Sequence, residues 1–338
     1  MKFFQIVVVM VSFLFWLPAF AMESEEITPF KYINRPAPSY DIPASSRFTV
    51  KREEKEAPEI VYYLTTPKVN PFAIAILCEG SSMKGLLSSV IHFHRYFLQE
   101  FRELGLTVMT IEQWGIDGDQ INDDEFWRHY TPTQRLKDHQ TVINYLKNKP
   151  PAGWNKKFVF LGASEGGPLV TDLTMLYPDD TRATLNWVGA GDWSWREELW
   201  GFIQAASMGD VKCQEHQNKL GECQICFEGA LSRKDYDARV DTIQSDPTTD
   251  KYFFGMTHLY LVDVFKRPPY DYRKIHTPFL VVAGVQDHDI QSSDEFIRKA
   301  LADGAPVTYH RIEDMGHGIR QRPDVIEKSF EWLREKLQ

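Results

Sequence analysis

The chain has 338 residues, 43% of them apolar and 25% charged, with 20 glycines and 19 prolines, a composition that excludes a disordered, collagen-like or simple coiled-coil chain. Its formal charge is −9, and no block of Lys or Arg interrupts the acidic balance, so the electrostatic footprint of a nucleic-acid binder is missing. At roughly 150 residues per domain, the length predicts two domains or one large α/β domain carrying an insertion.

The first element is a leader. Lys2 is the only charge before Glu23, and residues 6–17 are apolar, too few for a spanning helix, which needs about 20. Pro18 and the small-x-small triplet Ala19-Phe20-Ala21 follow. Residues 1–21 therefore read as a secretory signal peptide cut after Ala21, with an uncleaved anchor as the alternative. No cysteine follows the apolar run, which argues against lipid attachment. The expected location is secreted or periplasmic, with no stable membrane insertion once the leader is removed. Residues 22–46, rich in Pro, Ser and acids, read as an extended lead-in.

Two strand-like runs come next, 47–51 and 59–65, separated by the charged turn KREEKEAP. They predict an antiparallel pair at the edge of a sheet. From Phe72 the pattern becomes strands alternating with helices. The run FAIAILC (72–78) is continuously apolar, as a strand covered on both faces must be. Val90, Phe93, Phe97 and Phe101 recur at helical spacing within 86–103. A strand follows at 106–112, then a helix at 131–149 with Thr131 as its cap. A strand at 157–164 runs into a glycine-rich turn, a helix covers 168–177, and another strand covers 182–191. The pattern resumes with a strand at 278–284, a helix at 292–304 closed by Gly304, a strand at 307–314 and a terminal helix at 323–337.

This alternation predicts an α/β fold with a mostly parallel central sheet and helices on both faces. Residues 193–277 interrupt it and are too long for a connection. They predict a cap inserted after the sixth strand, dividing the core into 47–192 and 278–338. Trp193, Trp195, Trp200, Phe202, Phe227, Tyr252, Phe253, Phe254 and Tyr260 lie in this cap. Most of them are expected to form its own small core, and a few to line a pocket beneath it.

Cys78 ends the apolar run 72–78 and reads as a buried, unpaired thiol. Cys213, Cys223 and Cys226 cluster in the cap and, with His216, have the ligand types of a small zinc site. In an oxidising compartment a disulfide is favoured over zinc or free thiols, joining Cys213 to Cys223 or Cys226.

The chemistry centres on Gly162-Ala163-Ser164-Glu165-Gly166-Gly167, a G-x-S-x-G between a strand and a helix. Such a turn is tight and strained, and it presents the Ser164 hydroxyl at the carboxyl end of the sheet beside a helix N-terminus. A serine hydroxyl needs a base. His317, between Gly316 and Gly318 after the last strand, sits on a loop suited to that role, whereas His92, His94, His129 and His139 lie in or beside helices. The orienting acid should follow the strand 278–284. Asp287 is the choice and Asp289 the runner-up, giving the chain order Ser, Asp, His.

From about residue 47 to the C-terminus the chain resembles the α/β-hydrolase superfamily. The matching pieces are the elbow GASEGG, the acid loop GVQD and the terminal GHG. The resemblance implies an acyl-enzyme mechanism and an oxyanion hole of two backbone N–H groups, from Glu165 and Ser81. In relatives similar to the proline iminopeptidases the loop bearing Ser81 begins with histidine; here it reads Glu79-Gly80-Ser81-Ser82, and the turn after the fourth strand reads Glu112-Gln113-Trp114-Gly115. The function this implies is an exported serine hydrolase cleaving a carboxylic ester, thioester or amide of a small molecule or short peptide. Its triad would be Ser164, Asp287 and His317, needing no metal or cofactor. The alternatives are an aminopeptidase or peptide amidase, a hydrolase-fold enzyme without triad chemistry, and a non-catalytic binding protein on the same fold. The oligomeric state is left open.

Overall fold

A computed structural model describes residues 46–66, 72–82, 87–207 and 232–338. The leader, nearly all of the lead-in and the cluster Cys213, His216, Cys223 and Cys226 fall outside the described residues.

Eight strands form one sheet: β1 (Arg47–Val50), β2 (Ile60–Thr65), β3 (Phe72–Cys78), β4 (Thr107–Ile111), β5 (Trp154–Ala163), β6 (Thr181–Trp187), β7 (Phe279–Gly284) and β8 (Val307–Ile312). Their spatial order is β1-β2-β4-β3-β5-β6-β7-β8. The β1–β2 and β2–β4 pairs are antiparallel, and the remaining five are parallel. The antiparallel pair lies at the edge, as its short polar-flanked runs predict.

Nine helices accompany the strands among the described residues: α1 (Ile91–Glu103), α2 (Asp123–His129), α3 (Pro132–Asn148), α4 (Gly166–Leu176), α5 (Trp195–Ser207), α6 (Arg233–Ser245), α7 (His258–Phe265), α8 (Ile290–Ala302) and α9 (Pro323–Leu337). The side-chain alternation of each strand divides the core in two. Ala73, Ala75 and Leu77 of β3 face one cluster with Phe93, Phe97 and Phe101 of α1 and Phe330 and Leu333 of α9. Ile74, Ile76 and Cys78 face the other, with Val142 and Ile143 of α3 and Val170 and Leu173 of α4. Phe97 is fully buried, and its ring contacts those of Trp187 and Phe330. Cutting it to alanine should cost about 3–5 kcal/mol of stability. Cys78 is a buried free thiol, as expected.

Two helices begin where local chemistry sets them. Thr131 caps α3 by accepting from the Gln134 N–H. Helix α1 begins at Ile91, later than the apolar spacing predicts, where the Ser89 hydroxyl accepts from the Ile91 N–H. Strand β6 ends at Trp187 because Val188 turns the chain with φ of +48°, a strained conformation for a β-branched residue.

Between β6 and β7 the chain forms α5, α6, a short hairpin (Tyr252–Phe253 with Met256–Thr257) and α7. These elements share an aromatic-rich core containing Tyr236, Phe253 and Tyr260. Helix α2 contributes Phe126 and Trp127 to it, and Tyr130 joins just beyond. Sequence periodicity misses α2, which has seven residues, three of them consecutive acids in its first turn. Asn122 caps it by accepting from the Glu125 N–H. Among the described residues no helix is long and apolar enough to cross a membrane.

Candidate active site

Ser164 follows β5 with φ of +53°, in the left-handed region that costs an L-residue about 1–2 kcal/mol. The turn is possible only because its flanking glycines lack side chains. A Cβ on Gly162 would lie 2.2 Å from the Gly166 carbonyl oxygen, and one on Gly166 would lie 2.1 Å from that of Cys78. The Ser164 N–H donates to the Trp187 carbonyl at 2.9 Å, and its own carbonyl accepts from Gly167 at 2.8 Å, which starts α4.

His317 lies on the loop after β8. Its Nε2 is 2.9 Å from Ser164 Oγ, and its Nδ1 is 2.9 Å from Asp287 Oδ2. With the proton on Nδ1, the ring donates to Asp287 and accepts from the serine hydroxyl. The acid and histidine loops are tied together, because the Gln286 N–H donates to the Met315 carbonyl at 3.0 Å. Asp287 is held in place by its own N–H, which donates to the Gly284 carbonyl at 3.1 Å.

Electrostatics follow from this geometry. Burial opposes the His317 imidazolium, but the hydrogen bond and charge of Asp287, with Asp289 farther out, raise the histidine pKa above its ordinary value. Burial likewise opposes the Asp287 carboxylate, yet the His317 hydrogen bond and charge hold it below the usual aspartate value. Asp289 faces Nε2 of His288 at 3.0 Å and not His317. His288 also approaches Asp287 Oδ1 at 3.1 Å and stacks on the His317 ring with centroids 5.3 Å apart. Asp287, His288, Asp289 and His317 offer four donor atoms within 4.8 Å. Two of the four residues are already hydrogen-bonded to each other, which makes the group a poor cage for a cation.

A cavity of about 430 Å³ opens over Ser164. Its walls are mainly apolar, with Val188, Trp195, Leu199, Phe254, Met256 and Leu261 among them. Of the aromatics in 193–277 named from the sequence, Trp193, Trp195 and Phe254 reach the cavity; Phe253 and Tyr260 are buried in the core shared with α2, with Trp200 and Tyr252 packed against it, and the side chains of Phe202 and Phe227 lie outside the described residues. Ser81 and Glu165 line the cavity beside Ser164. Among the described residues neither the Ser81 nor the Glu165 N–H donates to another backbone carbonyl. The loop bearing Ser81 passes close to Ser164, since a Cβ on Gly80 would lie 3.5 Å from its Oγ.

Glu198 on α5 also lines the cavity. The Ser292 hydroxyl donates to its Oε1 at 2.5 Å. Burial, together with the nearby Asp289 charge, pushes this carboxyl up to about 8. Both basic side chains at the cavity, Arg267 and Lys299, are paired with acids: Arg267 with Asp172 at 2.8 Å, and Lys299 with Asp192. Sequence reading misses Glu198, which sits in WREELW and looks like the solvent face of a cap helix. It also misses His288, which lies between two candidate acids.

The structure thus brings Ser164, His317, Ser81 and Glu165 to one cavity, with Asp287 buried behind His317 and Asp289 at the cavity wall but directed elsewhere. Cys213, Cys223 and Cys226 lie outside the described residues.

No protein-family model matches the chain, and no curated protein matches it. Solved structures do. A thermostable carboxyl esterase from Bacillus coagulans superposes with a TM-score of 0.56 at 15% identity, covering 86% of this chain and 96% of that one. Est1E from Butyrivibrio proteoclasticus gives 0.53 at 13%, covering 86% and 99%. A proline iminopeptidase from Mycobacterium smegmatis gives 0.52 at 16%, covering 86% and 97%. Together with the sheet order, the elbow and the position of the inserted helices, these likenesses identify the architecture: the chain has the α/β-hydrolase fold.

Proposed function

We propose that the protein is an exported serine hydrolase that cleaves neutral carboxylic esters or thioesters with short apolar or aromatic acyl groups. The observation that carries this reading is the unbroken hydrogen-bond chain Ser164–His317–Asp287 opening into a mainly apolar cavity. Ser164 Oγ attacks the acyl carbonyl carbon while its proton passes to His317 Nε2, and Asp287 holds the resulting imidazolium in place. The negative oxygen is received by the Ser81 and Glu165 N–H groups at the mouth of α4. Collapse of the tetrahedral intermediate expels the leaving group, which takes the proton from His317. Water, deprotonated by the same histidine, then hydrolyses the acyl-enzyme.

An aminopeptidase is the second reading, and Glu198 is its support, because a cavity carboxylate could hold a substrate ammonium. Burial works against it, because it pushes this carboxyl up and so favours the uncharged form, which an amine's charge would have to overcome. The export assignment rests on the leader sequence, and the cap staple on the cysteine spacing in an oxidising compartment. Non-reduced mass spectrometry of the secreted protein should find Cys213 linked to Cys223 or Cys226.

The deciding experiment sets purified protein against p-nitrophenyl acetate, butyrate and benzoate beside aminoacyl p-nitroanilides, with fluorophosphonate labelling mapped by mass spectrometry. Ester turnover with label on Ser164 supports the proposal. Label elsewhere, or a higher kcat/KM on the aminoacyl series, refutes it.

A further inference from the structure

Behind the elbow lies a buried polar group that the triad does not use. Glu165, the residue after the nucleophile, directs its carboxylate into this group. Arg135 Nη1 donates to Glu165 Oε1 at 3.1 Å, and the Tyr130 hydroxyl donates to Glu165 Oε2. Both partners also reach the facing loop. Arg135 Nη2 donates to the Glu79 carbonyl at 2.8 Å, and the Ser82 N–H donates to the Tyr130 oxygen at 3.0 Å. Ser81 stands between those two fixed points.

The two backbone segments assigned to the oxyanion hole are therefore joined by two side chains that leave the same short stretch, between the end of α2 and the first turn of α3. We infer that Tyr130 and Arg135 are positioning residues that set the spacing of the Ser81 and Glu165 N–H groups. This rests on the hydrolase reading above and deepens it. The clamp is dry: the Arg135 and Glu165 side chains are each 5% exposed, and Tyr130 and Ser82 are buried. In such surroundings hydrogen bonds hold geometry firmly, because no water competes for the partners. Tyr130 is braced further by stacking on Tyr260 of α7, with centroids 4.9 Å apart.

Arg135 also settles a charge problem. A bare carboxylate one residue from the nucleophile would oppose an anion forming at the adjacent N–H. The guanidinium offsets that charge; burial opposes its protonated form, but the neighbouring Glu165 and Glu79 charges outweigh burial and raise its pKa. Gln113 Nε2 donates to Glu79 Oε1 at 3.2 Å, and burial pushes the Glu79 carboxyl up to about 7.

Tyr130→Phe removes one hydroxyl and keeps the ring stack. Arg135→Lys keeps the charge but loses the fork that reaches Glu165 and Glu79 together. Each variant is compared with wild type in kcat, KM and inhibition by two ligands sharing one acyl skeleton. The first is a trifluoromethyl ketone, whose carbonyl carbon is attacked by Ser164 Oγ to give a hemiketal oxyanion as the proton moves to His317. The second is the matching carbinol, which forms no oxyanion. The expected result is a fall in kcat of about 10- to 100-fold with KM nearly unchanged. The ketone Ki should rise by the same factor while the carbinol Ki stays put. A folded Tyr130→Phe with wild-type kcat, or equal weakening of both inhibitors, overturns the clamp. If Tyr130→Phe does not fold, Arg135→Lys decides by the same criteria. Wild-type inactivity on every ester overturns the hydrolase reading and the clamp with it, whereas an active wild type beside an unaffected variant overturns the clamp alone.

Discussion

Asp287 Oδ2 lies 2.9 Å from His317 Nδ1, although Asp289 stands only two residues farther along the same loop. The difference comes from backbone direction. Asp287 is in the turn that leaves β7, where the Gln286 N–H ties that turn to the histidine loop. Asp289 is already the cap residue of α8, and its carboxylate faces His288.

Asp287→Asn should therefore lower kcat by about three to four orders of magnitude, because the amide no longer selects the productive imidazole tautomer. Asp289→Asn should cost far less. Steady-state kinetics on one chromogenic ester compare the two, and equal losses would remove the assignment.

Ser164 is expected to carry the reaction while contributing strain to the fold. Ser164→Ala should abolish turnover and leave thermal stability close to wild type. Ser164→Gly should also be inactive but melt higher than Ser164→Ala, since glycine occupies φ of +53° without the penalty of about 1–2 kcal/mol. Melting both variants side by side tests the strain directly, and a glycine variant that melts lower would contradict it.

The strand and helix pattern was legible from periodicity because the buried strands are continuously apolar and the outer helices amphipathic. The elbow was legible because its glycines answer to close backbone approaches, as at Gly162 and Gly166, and the histidine loop because His317 stands between two glycines after the last strand. What escaped was contact made in three dimensions. Tyr130 and Arg135 are 30 to 35 residues from Glu165 in sequence, and no local pattern marks them as its partners. Helix α2 escaped because a seven-residue helix spans too few turns to show a period.

In the proposed mechanism His317 must be neutral to accept the serine proton, and its pKa is raised above the ordinary 6.5. The acid limb of kcat/KM should accordingly have its midpoint above pH 6.5, and in the residual activity of Asp287→Asn that midpoint should move down. The same pair links to folding: its stability is fully present between pH 3.8 and 6.5, is lost as pH rises through the folded-state value of His317, and is lost as pH falls through that of Asp287. A wild-type midpoint at or below 6.5 would contradict the arrangement.

Glu198 makes the opposite kind of pH prediction. Its carboxyl is pushed from the usual 4.5 to about 8 by burial and by the charge of Asp289, with Ser292 donating to it and Arg267 and Asp192 nearby. Below pH 4.5 the group is protonated in both folded and unfolded chains and has no effect on the pH dependence of stability. Above 4.5 the unfolded chain releases the proton while the folded chain retains it, so folding weakens by up to about 1.4 kcal/mol per pH unit. The loss ends near pH 8, where the folded carboxyl also ionises. Glu198→Gln removes this dependence and still offers the Ser292 hydroxyl an amide oxygen. Thermal melts of wild type and Glu198→Gln from pH 5 to pH 8.5 should therefore diverge in favour of the variant as pH rises and run parallel above about pH 8. Turnover of neutral esters should be nearly unchanged, because an uncharged carboxyl and an amide present similar walls to an apolar acyl group. A stability difference that is constant across the range would mean that Glu198 is ionised in the folded protein, and the cavity would then carry a negative charge suited to a cationic substrate.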